Sequence, residues 1–241
     1  MCTVTIIPKG DNDFIITSNR DEAPNRASVK PELYLFEDTK MLFPKDELSQ
    51  GTWIGVSSKN RMLCVLNGGF DFHERKPNYR LSRGIIVKKL LASDDIVEAI
   101  DQYDFYDIEP FTLVIADWNN DMIFMELVWD GNDKHLKPLN KEPNIWSSST
   151  LYSVAMKNER HSWFESFKAE HELNAESLLK FHHSAGHGNN DYGVIMDRGF
   201  VKTTSITQIE KSGDLVIMCY DDLKQSDVST AQFRISEVVN E

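Results

Sequence analysis

The chain has 241 residues, 41% of them hydrophobic, which suits one large domain with a substantial core and is too apolar for a disordered chain. Its 38 acidic residues exceed its 26 basic ones by twelve, so it lacks the basic footprint that holds nucleic acid or an anionic membrane non-specifically. No apolar run reaches the roughly 18–20 residues of a membrane-spanning helix, and residues 1–14 lack a basic start followed by an apolar stretch, so neither membrane insertion nor a secretory leader is expected. Three cysteines, Cys2, Cys64 and Cys219, are too few and too dispersed for a disulfide framework, which predicts a reduced, cytoplasmic setting.

In chain order, the β-branched runs 3–7 and 14–18 flank the turn cluster Pro8 to Asp13 and predict a hairpin. Short strands follow at 53–58 and 62–67, joined by Lys59-Asn60-Arg61. Helical periodicity then predicts two helices over 82–93 and 94–103, the second capped by Ser93 or Asp94. Strands are expected at 111–118, 122–129 and 135–139, and a second helix pair at 159–170 and 175–185, with Asn174 as a cap. A closing hairpin, 204–210 and 215–221, turns through Lys211 to Asp214. Hairpins alternating with helix pairs, without a βαβ rhythm or an internal repeat, give an α+β class and a single domain over 1–241.

The first hairpin brings chemistry together. Symmetric pairing about Gly10–Asp11 makes facing residue numbers sum to about 21, setting Cys2 across from Asn19 and beside Arg20, Asp21 and Glu22. A one-residue bulge would shift that register. A cysteine attacks as its thiolate, and a neighbouring guanidinium favours that form. Removal of Met1 would expose an α-amino group with an unperturbed pKa of about 8, able to take the thiol proton, with Asp21 orienting the ammonium. The plain alternatives are an incidental cysteine and a solvated charged turn. In the run His182 to His187, His183 and His187 stand four apart and invite a metal reading, but glycines at 186 and 188 end the helix and no carboxylate completes a ligand set, so no metal is expected. No glycine-rich nucleotide loop is present, and no other cofactor is expected.

Met1-Cys2-Thr3 followed by Ser18-Asn19-Arg20-Asp21-Glu22 resembles the signature of the NRDE family, the transport and Golgi organisation type two proteins. Gly51-Thr52-Trp53-Ile54-Gly55-Val56, Val65-Leu66-Asn67 and Ser82-Arg83-Gly84 extend the resemblance, with weaker similarity at 146–149 and 203–207. It implies an N-terminal-nucleophile (Ntn) hydrolase-like four-layer αββα sandwich, two stacked antiparallel sheets between helical layers, related to choloylglycine hydrolase and penicillin V acylase. By that resemblance Cys2 is the nucleophile, Arg20 and Asp21 are its electrostatic partners, and Asn67 stabilises an oxyanion. On local sequence alone Asn67 reads equally as a hairpin cap before Gly68-Gly69. Asn19, Trp53, Phe70, Ser148 and Thr204 are the candidate substrate-binding residues, and Phe72 and Tyr79 could extend an apolar acyl pocket or belong to the core. Ser148 stands where relatives carry Asn, and Thr204 where many carry Arg, which puts turnover in question more than fold.

Three functions follow as expectations. The first is a cysteine amidohydrolase, acting on C–N bonds other than peptide or on a thioester through an acyl-Cys2 intermediate. The second is a non-catalytic haem or acyl-CoA (lipid) handling protein, a role the resemblance also implies. The third is an inactive scaffold with a partner surface. The expected partner is a small acyl-type substrate or hydrophobic ligand, with no nucleic acid and with homo-oligomerisation left open.

Overall fold

The computed structural model describes residues 3–235. The first hairpin is β1 (Thr3–Lys9) and β2 (Asp13–Glu22), and its β-branched residues are buried on both faces. These strands lie inside a six-stranded sheet with β10 (Asn144–Ser147), β11 (Lys202–Ser212), β12 (Leu215–Asp222) and β13 (Asp227–Arg234), in the order β10-β1-β2-β11-β12-β13. A seven-stranded meander runs in chain order through β3 (Ser28–Phe36), β4 (Thr39–Asp46), β5 (Ile54–Ser57), β6 (Arg61–Asn67), β7 (Phe111–Asp117), β8 (Ile123–Trp129) and β9 (Lys134–Leu139). All ladder pairs in both sheets are antiparallel.

The two sheets stack through one apolar core in which Val4, Ile6, Phe14 and Ile16 meet Ile54, Leu63, Val65 and Leu113. Helices α1 (Arg83–Ala92) and α2 (Ile96–Gln102) form the outer layer on the meander, where α1 packs on β5 and β6. Helices α3 (Val154–Glu170) and α4 (Ala175–Ser184) cover the six-stranded sheet over a smaller core of Ile7, Ile15, Phe164, Leu178 and Phe181. The expected αββα sandwich is therefore the fold. No helix among the described residues is long and apolar enough to cross a membrane.

Several local expectations need correcting. Asp95, rather than Ser93 or Asp94, caps α2 by accepting from the amides of Val97 and Glu98. Helix α3 begins five residues before the expected 159, capped by Ser153. Asn174 caps α4 as expected, in a reciprocal capping box with Ser177. The strands β3, β4, β10 and β13 are additional. Three of them are sheet edges, where one exposed side weakens the apolar signal, and β3 and β4 each contain a proline that argues against a strand. Pro31 is accommodated where the β3–β4 register shifts between Val29 and Glu32.

The register of the first hairpin also differs. Thr3 faces Asn19 and Ile6 faces Ile16, so partner numbers sum to 22 rather than 21, and Asn19 stands opposite Thr3. Cys2 lies outside the described residues.

Candidate functional site

The alternation of β2 decides what each residue of the Asn19-to-Glu22 run can do. Phe14, Ile16, Ser18 and Arg20 face the meander: Phe14 and Ile16 enter the inter-sheet core, and the Cys64 thiol lies 3.6 Å from the Ser18 hydroxyl. Ile15, Asn19 and Asp21 face the helices. Four consecutive letters thus serve two separate environments, one on each side of the sheet.

On the helix side, Asn19 is fully buried and donates to the carbonyls of His182 (3.0 Å) and Val194 (2.7 Å). Its carbonyl oxygen meets His182 Nδ1, while His182 Nε2 lies 2.8 Å from Thr5 Oγ1. With the Asn19 amide donating to backbone, its oxygen accepts from Nδ1–H, leaving Nε2 to accept from Thr5. Burial, then the neighbouring His183 and Arg160, pushes the His182 pKa down to about 3, so the ring is neutral. His183 instead pairs with Asp221 at 3.0 Å. Asp21 accepts from the Tyr152 hydroxyl (2.5 Å) and from Thr203 Oγ1 (2.7 Å). The fully buried Arg160 guanidinium lies 3.6 Å from the Tyr152 ring centroid and donates to Thr3 Oγ1 and the Gly193 carbonyl.

On the other side, Arg20 enters a cavity of about 320 Å³ at one end of the inter-sheet space. Its Nη2 donates to Asp46 at 2.7 Å, and its guanidinium lies over the Trp53 ring, 4.6 Å from the centroid. Arg26 grips the same Asp46 carboxylate through two bonds of 2.8 and 3.1 Å and pairs with Glu22 at 3.3 Å. Burial pushes the Asp46 carboxyl up, but the bonds from Arg26 and from the Ser49 amide and hydroxyl outweigh it and hold it below the usual range. Across the cavity, Arg83 pairs with Glu109 at 3.2 Å. Asn67, Tyr79 and Ser82 complete this wall.

Of the expected site residues, Arg20, Trp53 and Asn67 share this cavity. Thr204 supports it from behind. It sits at the bulge where the β11–β2 register shifts between Thr203 and Ser205, accepts from Arg20 Nη1 (3.1 Å) and donates to the Arg20 carbonyl (3.0 Å). Ser148 is buried and donates to the Asn67 carbonyl at 2.8 Å, fixing the end of β6 without lining the cavity. At that end Gly68 adopts φ +88°, and a Cβ there would lie 3.0 Å from the Ser149 Cβ, so the sharp exit after Asn67 needs glycine. Phe70 is 53% exposed and lines a separate cavity with Trp146 and Lys157. Phe72 is exposed as well, so the expected apolar acyl pocket is instead a cavity walled mainly by charged and polar groups. The loop Gly68 to Leu81 reaches it through its second half, Arg75 to Leu81, rather than through Phe70 or Phe72.

Asp46, Arg26, Glu109, Tyr152 and Arg160 carry the electrostatics of these sites and were not legible as site residues. Arg160 lies in an expected helix and the others in segments that read as loop or undistinguished polar sequence, and only folding brings these side chains to their partners. The pairing of a buried arginine with one acid far along the chain leaves no spacing signal.

The same architecture recurs in solved structures. Penicillin V acylase from Agrobacterium tumefaciens matches with a TM-score of 0.61 at 11% identity, covering 99% of this chain and 89% of that one. The N-acylethanolamine-hydrolyzing acid amidase ortholog of Caenorhabditis elegans gives 0.58 at 12% identity, over 86% of this chain and 92% of its own. A mutant of the conjugated bile acid hydrolase from Clostridium perfringens gives 0.55 at 8% identity, over 100% and 99%. At such identities the likeness is one of fold, which is Ntn-hydrolase-like. No curated protein matches the chain significantly by sequence. The family model described as Transport and Golgi organisation 2 matches residues 1–190, most of the chain, and on that match the chain belongs to the Transport and Golgi organisation 2 family.

Proposed function

We propose that this protein is an N-terminal-cysteine hydrolase of a linear amide or thioester, with Cys2 as nucleophile. The observation that carries this reading is the meeting of Arg20, Trp53 and Asn67 in one cavity, with Thr3, at the start of β1, paired to Asn19, the residue before Arg20. The fold neighbours supply a second support, since those named above are an acylase, an amidase and a hydrolase.

In this mechanism the Arg20 guanidinium favours the Cys2 thiolate, and the α-amino group exposed by loss of Met1 receives the thiol proton. The thiolate attacks the acyl carbonyl, forming a C–S bond. The Asn67 amide donates to the developing oxyanion, worth about 3 kcal/mol of barrier. Collapse breaks the C–N or C–S bond, and the leaving group takes the proton. Water then attacks the thioester, returning a proton to the enzyme and releasing the acid. Thr204 and Asp46 act as positioning residues for Arg20.

A second reading has its own support. Ser148 and Thr204 both spend their hydroxyls on the protein's own groups, so the cavity could hold a haem, acyl-CoA or lipid ligand without turnover.

Intact mass before and after brief treatment with a cysteine-directed acylating probe separates the two. The hydrolase reading expects loss of Met1 and fast single labelling at Cys2, slowed at least tenfold in a folded Arg20→Ala variant. Retained Met1, with Cys2 no more reactive than Cys64, would sink it. Cys64 marks the unreactive baseline, because burial pushes its thiol up to about 12.

A further inference from the structure

A separate cavity, of about 290 Å³, lies where the first turn of α3 and the strand β10 meet β8 and the loop after β6. Phe70, Val128, Ile145 and Trp146 give it an apolar wall, and Ser149 and Lys157 line it together. Lys157 Nζ donates to Ser149 Oγ at 2.7 Å, while the Ser149 hydroxyl donates to the carbonyls of Gly69 (2.6 Å) and Phe70 (3.2 Å). The amine is therefore held by a neutral oxygen rather than by a carboxylate. Glu126, the acid that lines the same cavity, is taken by Lys137 at 2.8 Å and by the Trp146 indole. His161, one turn along α3, pairs with Glu165 at 3.6 Å.

Two influences disfavour the ammonium form of this lysine. Lys157 is the fourth residue after the Ser153 cap of α3, whose first turn contains no acid, so the positive end of the helix dipole works against a further positive charge. The side chain is also half-buried beside aliphatic and aromatic groups. That burial outweighs the attraction of Asp71, in the loop after β6, and holds the Lys157 pKa below its ordinary value. A neutral amine keeps its bond to Ser149 through one N–H and gains a free lone pair, which an ammonium lacks. A positioned, partly desolvated amine with a free lone pair is equipped to attack a carbonyl carbon.

We propose that Lys157 binds an aliphatic aldehyde in this cavity as an imine. The Nζ lone pair attacks the carbonyl carbon, a C–N bond forms, and one amine proton passes to the oxygen. The second amine proton follows as the C–O bond breaks, so water leaves and a C=N bond remains, with no oxidation or reduction. An aldehyde suits the site better than an acyl donor, because imine formation expels only water and needs no donor set for a departing thiolate or amine. Phe70 and Trp146 cover the alkyl chain, and the small cavity limits its length. The site shares no lining residue with the Arg20 cavity, so the proposal stands whether or not Cys2 is a nucleophile.

The test is reductive trapping of the full chain with hexanal and cyanoborohydride near neutral pH. Peptide mapping is the readout, because an N-terminal cysteine also condenses with aldehydes and has to be resolved from lysine. Hexylation of Lys157 should run at least about tenfold faster than that of the exposed Lys30 and Lys224 in the same digest. Its rate should reach half of its maximum at a lower pH than theirs, as a depressed pKa requires. Phe70→Ser, at a position 53% exposed and outside the core, should slow hexylation of Lys157 about threefold. The same substitution should leave ethylation by acetaldehyde unchanged, because only the longer chain reaches the aromatic wall. Labelling of Lys157 no faster than that of Lys30 and Lys224, a shared pH profile, or a hexanal rate indifferent to Phe70→Ser overturns the proposal.

Discussion

Asn19 shows how one side chain can hold a motif together without touching substrate. It links β1, β2, α4 and the segment after α4 through the His182 ring and the carbonyls of His182 and Val194. The consequence is a pH dependence of stability whose sign is fixed. His182 has an unfolded pKa near 6.5 and a folded pKa of about 3. Below pH 6.5 the unfolded chain therefore binds the extra proton, and stability falls as the pH drops, by about 1.4 kcal/mol per unit from this one group until about pH 3. Above pH 6.5 the contribution is flat. Between pH 7.5 and pH 5 the wild type should lose about 2 kcal/mol more than His182→Gln, read from urea unfolding midpoints at both pH values. An identical pH slope in the two proteins would show that the ring titrates normally.

Two short motifs far apart in sequence form one contact between elements. Gly51, just after β4, and Gly84, in the first turn of α1, approach so closely that a Cβ on Gly51 would lie 2.6 Å from the Gly84 carbonyl carbon. A Cβ on Gly84 would lie 2.9 Å from both the amide nitrogen and the carbonyl oxygen of Thr52, and the Thr52 amide donates to the Gly84 carbonyl at 3.3 Å. This backbone-on-backbone packing sets Trp53 and Arg83 on facing walls of the cavity. The far end of α1 is held as firmly, since buried Arg61 pairs with Asp117 at 2.6 Å and donates to the Leu90 and Ser93 carbonyls. Gly84→Ala should cost about 1–3 kcal/mol through overpacking, lowering Tm by several degrees. It should also slow probe labelling of Cys2, because a shift of Thr52 moves the adjacent Trp53, over whose ring the Arg20 guanidinium lies. An unchanged melting curve would mean that the helix gives way freely.

At the scale of the molecule, the inter-sheet core is continuous from β2 across to α1 and α2, and a second core joins the six-stranded sheet to α3 and α4. Both cores share the strands β1 and β2, whose opposite faces they cover. Neither half can lose those strands and keep its interior. Thermal unfolding should accordingly follow one cooperative transition, with far-UV and near-UV circular dichroism coinciding. Two separated transitions would divide the chain into independent domains and remove the basis for reading 1–241 as one unit.

The sequence by itself determined the periodic elements, the α+β class, and, through the Asn19-to-Glu22 run and the glycine motifs, the fold family. Those signals are local: alternation, helical spacing and turn residues act over a few positions. Edge strands such as β10 and β13 escaped because half of each faces solvent, and β4 because Pro44 interrupts its pattern. Only the tertiary structure decided that Arg20 and Asp21 work on opposite faces of β2. It also decided that Thr204 holds Arg20 through a bulge, and that Phe70 stands away from the cavity its neighbours line. A strand's two faces differ in what packs on them, and a charge finds its partner by distance in space, so neither can be read from spacing along the chain.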